Sequence, residues 1–227
     1  MIQAAIFDMD GIVIDSEWMW KEAERKVFSG LGVDVDECRS SITSSMSTKA
    51  VAEFWYQHHP WDGLSIECAE HMVVDHVENL ILEKGKKIKG VLESLDFLKG
   101  KGIQIGLATN SPARLIRVVL EKLDIADYFE AVSSVEEGAY SKPHPEVYLN
   151  TARKLRCDPS CCLAFEDSMT GALSARRAGM VVAFVKSTVA ELDNIQNPYD
   201  LELKNLSQLD DGCLQIVNHH MYEKSLK

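Results

Sequence analysis

Short apolar runs recur along this sequence, separated by longer stretches with helical spacing. Runs of this length, bounded by turn or polar residues, are typical of strands buried on both faces of a parallel sheet. The runs lie at Ala4–Phe7, Ile103–Ala108, Cys162–Phe165 and Val181–Val185. A further alternating stretch, Tyr199–Leu203, predicts an edge strand.

Apolar positions at helical spacing predict crossover helices between these strands. One helix is predicted over Pro112–Leu123, where the proline stands at a first-turn position, and another over Ser168–Ala178. Strands that alternate with helices form parallel sheets with right-handed crossovers. The sequence therefore predicts an α/β fold whose core is a Rossmann-like parallel sheet.

Residues 16–89 interrupt the alternation of strands and helices, because they lack the short apolar runs of buried strands. Instead they contain helix-compatible stretches at Glu17–Phe28, Lys49–Tyr56 and Glu67–Leu82. We therefore expect a core domain of residues 1–15 and 90–227 and an inserted α-helical domain of residues 16–89. The return segment, residues 83–90, combines glycines with lysines and fits either an anion-binding patch or a hinge. Lysine runs are common on surfaces, which favours the hinge.

Composition and charge narrow the possible partners. The chain has 227 residues, 46% of them hydrophobic and 26% charged, enough for a core domain and one smaller unit. Its net charge of −11 argues against nucleic acid as a partner. No apolar run approaches the roughly 20 residues that span a bilayer, and no basic, signal-like segment opens the chain. We therefore expect a cytoplasmic protein with no membrane partner.

The cysteines offer little chemistry. Six are present at irregular spacings, and no two form a C-x-x-C pair. The neighbours Cys161 and Cys162 fit a redox pair, but Cys162 opens an apolar strand, where cysteine serves as a small hydrophobic residue. The spacing favours reduced, structural cysteines over a zinc or redox site.

Two carboxylates follow the first predicted strand. Asp8 and Asp10, separated by one residue and followed by Gly11, stand where the apolar run ends. Open α/β sheets bind their ligands at this carboxyl edge. Asp-Gly is also a common turn pair, so this segment alone leaves both interpretations open.

Three later segments place polar groups at the same edge. Thr109 and Asn110 stand before a predicted helix, Lys142 precedes a proline-rich turn, and Glu166 and Asp167 end another strand. Each has an ordinary alternative: a helix cap, a surface lysine, and acids capping a helix. Taken together, they gather a lysine, hydroxyl and amide donors, and carboxylates. A phosphate bound with Mg²⁺ accounts for all of them, because hard divalent ions prefer oxygen ligands whereas zinc prefers nitrogen and sulfur.

In this order, the four segments resemble the motifs of the haloacid dehalogenase (HAD) superfamily of phosphohydrolases. The resemblance covers essentially the whole chain, including a helical cap between the first two motifs. The signature D-x-D-G-x-x-x-D-S is matched by Asp8, Asp10, Gly11, Asp15 and Ser16.

The resemblance implies a role for each matched residue. Asp8 is expected to attack phosphorus and become an aspartyl phosphate, and Asp10 to protonate the leaving oxygen and later activate water. Thr109 and Asn110 are expected to hold the phosphoryl oxygens. Lys142 is expected to neutralise charge on the nucleophile and the phosphate.

The resemblance also implies a set of metal ligands. Mg²⁺ is expected to bind the side chains of Asp8 and Asp167 and the backbone carbonyl of Asp10. Glu166 is expected to contribute directly or through water.

Closer similarities point to the substrate. The stretches Ala4–Gly11, Phe54–Trp61 and Tyr140–Leu149 resemble bacterial sugar phosphatases, which act on small sugar or sugar-alcohol phosphates such as hexitol phosphates or 2-deoxyglucose 6-phosphate. Their second motif usually reads Ser-Ala-Ser, whereas this chain has Thr109-Asn110-Ser111. The hydroxyl is kept, and an amide is added that can contact phosphate or substrate. The resemblance implies a small sugar phosphate as the ligand.

Two alternatives remain. The β-phosphoglucomutases of the superfamily carry a cap histidine where this chain has Trp20, and tryptophan cannot shuttle the proton that transfer to a second sugar hydroxyl needs. A non-catalytic phosphate-binding protein would lack the nucleophile, the lysine or a metal acid, and none is missing here.

Candidates for substrate selection are Trp18, Ser44, Ser45, Met46 and the lysines near Lys86. A monomer is expected, because a capped site can be completed within one chain.

Overall fold

A six-stranded parallel sheet forms the centre of the protein. The structure, a computed structural model, describes residues 1–35, 43, 46–186 and 197–225. The strands are β1 (Ala4–Phe7), β2 (Gln104–Thr109), β3 (Ala131–Ser134), β4 (Cys162–Glu166), β5 (Val181–Val185) and β6 (Leu201–Leu203), in the order β3-β2-β1-β4-β5-β6. The pairings of β1 with β2 and β4 are parallel, as are the outer pairings. The predicted α/β fold is confirmed.

Helices cover both faces of this sheet. Among the described residues they are α1 (Glu17–Gly30), α2 (Thr48–His58), α3 (Ile66–Lys84), α4 (Val91–Gly100), α5 (Ala113–Lys122), α6 (Glu146–Lys154), α7 (Met169–Arg177) and α8 (Asp211–Ser225). Alternate residues of each strand face opposite sides. In β1, Ala5 and Phe7 join the larger hydrophobic core, and Ala4 and Ile6 join the smaller one on the other face. Burial on both faces explains the continuous apolar runs of the sequence.

Strand β3 has no counterpart among the sequence predictions. Only two of its four residues are apolar, and both Ser133 and Ser134 are buried. The Ser134 hydroxyl donates to the Ser111 carbonyl oxygen at 2.7 Å, so β3 supports the loop that follows β2. Because half of β3 consists of buried serines, the strand lacks the apolar pattern from which the other strands were predicted.

Helices α1, α2 and α3 lie between β1 and α4 in the chain, and aromatic residues pack α1 against α2 and the loop that follows α2. The Phe28 ring lies 6.2 Å from Trp55 and 5.8 Å from Trp61, measured between centroids. Ser47 and Ser65 cap α2 and α3 by accepting a backbone N–H. The division into a core and an inserted domain stays a prediction.

The two connections between this helical segment and the sheet run side by side. Ile14 forms an antiparallel bridge with Lys87, and the Ile88 N–H donates to the Val13 carbonyl oxygen at 3.2 Å. Within the described residues, no helix is both long and apolar enough to cross a membrane. The five described cysteines are free thiols, and Cys38 lies outside the described residues.

Candidate active site

The carboxyl ends of β1, β2 and β4 meet at one cavity of about 320 Å³. Because the strands are parallel, the residues that follow them lie at the same edge of the sheet. The cavity is lined by six of the seven predicted site residues, Asp8, Asp10, Thr109, Asn110, Lys142 and Asp167. The seventh, Glu166, is fully buried behind the wall. The structure therefore brings all seven together, with Glu166 in an inner position.

Lys142 lies at the centre of this group. Its Nζ is 2.8 Å from Asp8 Oδ1 and 2.6 Å from Glu166 Oε1, and it donates to the Ala108 carbonyl oxygen at 3.0 Å. An ammonium has three donors, and these three acceptors use them all. Its side chain is only 4% exposed, so the surface-lysine alternative is excluded.

Asn110 and Tyr148 hold this lysine in place. The Lys142 backbone N–H donates to Asn110 Oδ1 at 2.9 Å, which fixes the turn that carries the lysine. The Tyr148 hydroxyl donates to Glu166 Oε1 at 2.5 Å, and Lys142 Nζ lies 4.9 Å from the centre of the tyrosine ring. Sequence reasoning missed Tyr148, although it lies six residues after the lysine on α6, the helix that follows the lysine's turn.

The buried carboxylates outnumber the cation that neutralises them. Burial, followed by the charge of Glu166, raises the pKa of Asp8 from 3.8 to about 7, although Lys142 opposes the shift. Burial, Asp8 and Glu166 raise the pKa of Asp167 from 3.8 to about 8. Burial alone would lower the pKa of Lys142, but the charges of Asp8 and Glu166 outweigh it and raise that pKa. The site therefore favours a second cation.

The donor atoms fit a hard divalent cation. Carboxylate oxygens of Asp8, Glu166 and Asp167 lie within 4.8 Å of one another. Gly11 has a φ of +77°, and a Cβ there would lie 1.8 Å from Asp167 Oδ2. Only glycine leaves room for the Asp167 carboxylate beside this turn. An all-oxygen set suits magnesium and not zinc.

Without divalent cations, the free energy of unfolding is expected to fall as the pH rises from about 4 to about 8. Because the pKa values of Asp8 and Asp167 are raised on folding, the folded protein binds more protons than the unfolded chain across this window. Urea unfolding in EDTA at several pH values measures the slope. The Asp167→Asn variant should show a shallower slope, and a slope equal to that of the wild type would contradict this origin.

Asp10 is held by three hydrogen-bond donors. Its Oδ1 accepts from the Ser16 hydroxyl at 2.5 Å and from Trp20 Nε1 at 2.9 Å, and its Oδ2 accepts from the Ser111 hydroxyl at 2.6 Å. Ser16 and Trp20 are four residues apart at the start of α1 and so share a helix face. The donor functions of Trp20 and Ser111 were missed by sequence reasoning. The i, i+4 spacing between Trp20 and Ser16, the last residue of the D-x-D-G-x-x-x-D-S signature, was the only available signal.

Thr109 ends β2 and is buried. Its Oγ1 accepts the Ser111 backbone N–H at 3.0 Å, which leaves the hydroxyl hydrogen to point to another acceptor. Of the candidates for substrate selection, Met46 lines the cavity, whereas Trp18 and Lys86 do not. Ser44 and Ser45 lie outside the described residues.

Comparisons with known proteins identify the family of this chain. Residues 2–179 match the haloacid dehalogenase-like hydrolase family. The chain belongs to this family. Hexitol phosphatase B of Escherichia coli K12 is 38% identical over 210 residues, which cover 92% of this chain and 94% of that protein. The family match and this similarity confirm the prediction of an enzyme that is a phosphoric monoester hydrolase.

One further sequence relative and one solved structure show how far the similarity extends. β-Phosphoglucomutase of Bacillus subtilis is 28% identical over 185 residues, covering 79% of this chain and 81% of that protein. CbbY of Rhodobacter sphaeroides, solved in complex with phosphate, superposes with a TM-score of 0.85 at 22% identity, covering 96% of this chain and all of that one. At this identity the structural likeness supports the HAD-like fold alone.

Proposed function

We propose that this protein is a Mg²⁺-dependent phosphatase that hydrolyses small sugar or sugar-alcohol phosphates through an aspartyl-phosphate intermediate. The observation that carries the proposal is the pairing of Asp8 with Lys142 at 2.8 Å in the cavity, next to an Asp10 held by three donors. A carboxylate nucleophile beside a fixed acid/base group is the arrangement that two-step phosphoryl transfer requires.

Asp8 and Asp167 are the proposed side-chain ligands of Mg²⁺, together with the backbone carbonyl of Asp10. When bound, the ion neutralises charge on the carboxylates and on the phosphate. Glu166 Oε1 already accepts from Lys142 and Tyr148, and Oε2 accepts from Ser168 at 3.2 Å. Because both of its oxygens already accept hydrogen bonds, the proposed role of Glu166 is to position Lys142 and to contact the metal through water.

In the first proposed step, an Asp8 oxygen forms a bond to phosphorus as the ester P–O bond breaks. Asp10 gives its proton to the leaving alkoxide. The Trp20 indole can only donate, so Oδ1 remains an acceptor and the proton resides on Oδ2, where the Ser111 hydroxyl can rotate to accept. In the second step, Asp10 takes a proton from the water that attacks the aspartyl phosphate, which restores Asp8.

The other cavity groups stabilise the transferred phosphoryl group. We assign Thr109 and Asn110 to its oxygens: the Thr109 hydroxyl and the Asn110 amide nitrogen are donors left over by the contacts described above. Lys142 compensates the charge shared by Asp8 and the phosphoryl oxygens. Positioned donors of this kind supply most of the rate enhancement in phosphoryl transfer.

The sugar-phosphate class follows from the similarity to hexitol phosphatase B. The mutase alternative comes from the 28% identity to β-phosphoglucomutase, and it is disfavoured because Trp20 occupies the place of the cap histidine. Its indole N–H is already donated to Asp10, and an indole takes up no proton at neutral pH. Water is therefore the proposed acceptor of the phosphoryl group.

Release of inorganic phosphate tests the proposal directly. Wild-type protein is assayed with hexitol phosphates, 2-deoxyglucose 6-phosphate and p-nitrophenyl phosphate, with Mg²⁺ or with EDTA. Turnover that needs Mg²⁺ and is fastest on the sugar or sugar-alcohol phosphates is the expected result. Interconversion of hexose 1- and 6-phosphates without net phosphate release would instead establish the mutase.

Trp20→Phe is expected to lower kcat roughly tenfold, because it removes one donor to Asp10 while keeping an aromatic ring. KM should change less than kcat, since the indole contacts the acid/base group. Trp18→Phe is the matched control, because Trp18 lies on the same helix and does not line the cavity. Equal kcat values for Trp20→Phe and wild type would contradict a positioning role.

A further inference from the structure

Three charged side chains of α1 line the cavity opposite the sheet. Glu17, Lys21 and Glu24 stand at positions i, i+4 and i+7, which lie on one helix face. Lys21 Nζ is 2.6 Å from Glu17 Oε1, so these two charges compensate each other. Glu24 forms no ion pair among the described residues, although Lys21 lies on the same face.

The Glu24 carboxylate has fewer hydrogen-bond donors than it can accept. Among the described residues, its one donor is the Thr43 hydroxyl, 3.4 Å from Oε2, and Oε1 has none there. Burial raises the pKa of Glu24 from 4.5 to about 7, while Thr43 and Lys21 oppose the shift. A half-buried carboxylate that lines a cavity gains most from a ligand that brings donors.

The rest of the cavity wall from the helical segment is uncharged. Trp20, Met46, Thr48 and Val51 line it, and Thr48 already donates its hydroxyl to Glu70 Oε1 at 2.9 Å. Within the described residues, Lys21 is the only cation on this side. Among the lining residues that the structure describes, a second anionic group on the substrate would therefore meet Glu24 with no further cation beside it.

We propose that Glu24 is a specificity residue, which accepts hydrogen bonds from hydroxyls of the leaving group and rejects substrates that carry a second anionic group. Neighbouring hydroxyls of a polyol offer two donors to the two carboxylate oxygens. A second phosphate or a carboxylate offers only acceptors and a like charge, which opposes binding. The substrate class is then the monophosphate of a neutral polyol, an inference that rests on the proposed function.

Glu24→Gln tests the inference, because it keeps the shape and removes the charge. Three esters are compared with Mg²⁺ on the alkaline side of the Glu24 pKa: a hexitol phosphate, a hexose bisphosphate and p-nitrophenyl phosphate. The kcat/KM of the hexitol phosphate relative to p-nitrophenyl phosphate should fall roughly tenfold. The corresponding ratio for the bisphosphate should rise by a similar factor.

Glu22→Gln is the matched control, because Glu22 is an exposed residue of α1 outside the cavity wall, and both ratios should equal those of the wild type. Ratios measured on one preparation do not depend on the fraction of folded enzyme. Ratios in Glu24→Gln equal to those of the wild type, or a wild-type preference for the bisphosphate, would overturn the inference alone. A wild-type enzyme that releases phosphate from none of the three esters would overturn the proposed function as well.

Discussion

Asp8→Asn is expected to lower kcat on the order of 10⁵-fold, because a carboxamide cannot form the aspartyl phosphate on which the proposed two-step route depends. The fold should persist. The variant removes one negative charge from a site where Asp8, Glu166 and Asp167 lie within 4.8 Å of one another, so its free energy of unfolding without Mg²⁺ should equal or exceed that of the wild type.

Three measurements separate this outcome from a merely structural effect. Steady-state phosphate release gives kcat, and urea unfolding in EDTA gives the free energy of unfolding for the same preparation. Acid quenching during turnover should trap a phosphoenzyme in the wild type and none in Asp8→Asn. Substantial turnover by Asp8→Asn, or a trapped phosphoenzyme that survives the substitution, would contradict covalent catalysis at Asp8.

Lys142→Met is expected to reduce both activity and stability. The side chains of Lys142 and Glu166 are 4% and 0% exposed, so removing the ammonium leaves the buried carboxylates of Asp8 and Glu166 without a cationic partner. Breaking a buried ion pair in this way costs about 3–5 kcal/mol of unfolding free energy. The loss of the charge that we propose stabilises the transferred phosphoryl group should lower kcat by roughly 10³-fold.

A double variant tells these two effects apart. Adding Glu166→Gln to Lys142→Met removes the more deeply buried of the two unpaired charges, so part of the lost unfolding free energy should return while kcat stays low. Lys154→Met is the matched control, because Lys154 pairs with Glu137 at 2.7 Å but is 42% exposed. Exposed pairs contribute about 0–1 kcal/mol. Recovery of kcat in the double variant would show that Lys142 serves folding and not catalysis.

The apolar runs and the polar residues that end them were sufficient to predict the sheet and the edge at which the candidate site residues lie. Local spacing determines which stretches become strands, and parallel pairing then brings Asp8, Thr109 and Glu166 to one side. The prediction of β2 differed from the structure by one residue at each end, since the apolar run begins at Ile103 and the strand ends at Thr109. The short strand β3 was missed, because its buried serines carry no apolar pattern.

The finer organisation of the site depends on contacts between distant parts of the chain. Ser111 is 101 positions from Asp10, and Asn110 is 32 positions from the Lys142 backbone that it holds. No spacing rule relates such pairs. The inner position of Glu166 was equally hidden, because adjacent acids at a strand end look alike in sequence although alternate residues face opposite sides.

The sequence by itself therefore determined the fold class, the edge of the sheet that carries the chemistry, and the identity of the seven residues gathered there. Only the tertiary structure decided that Trp20 donates to Asp10 and that Glu24 lines the cavity without an ion pair among the described residues. The reason is physical: strand and helix formation follow from local periodicity, whereas the approach of α1 to the end of β1 depends on how the whole helical segment packs against the sheet.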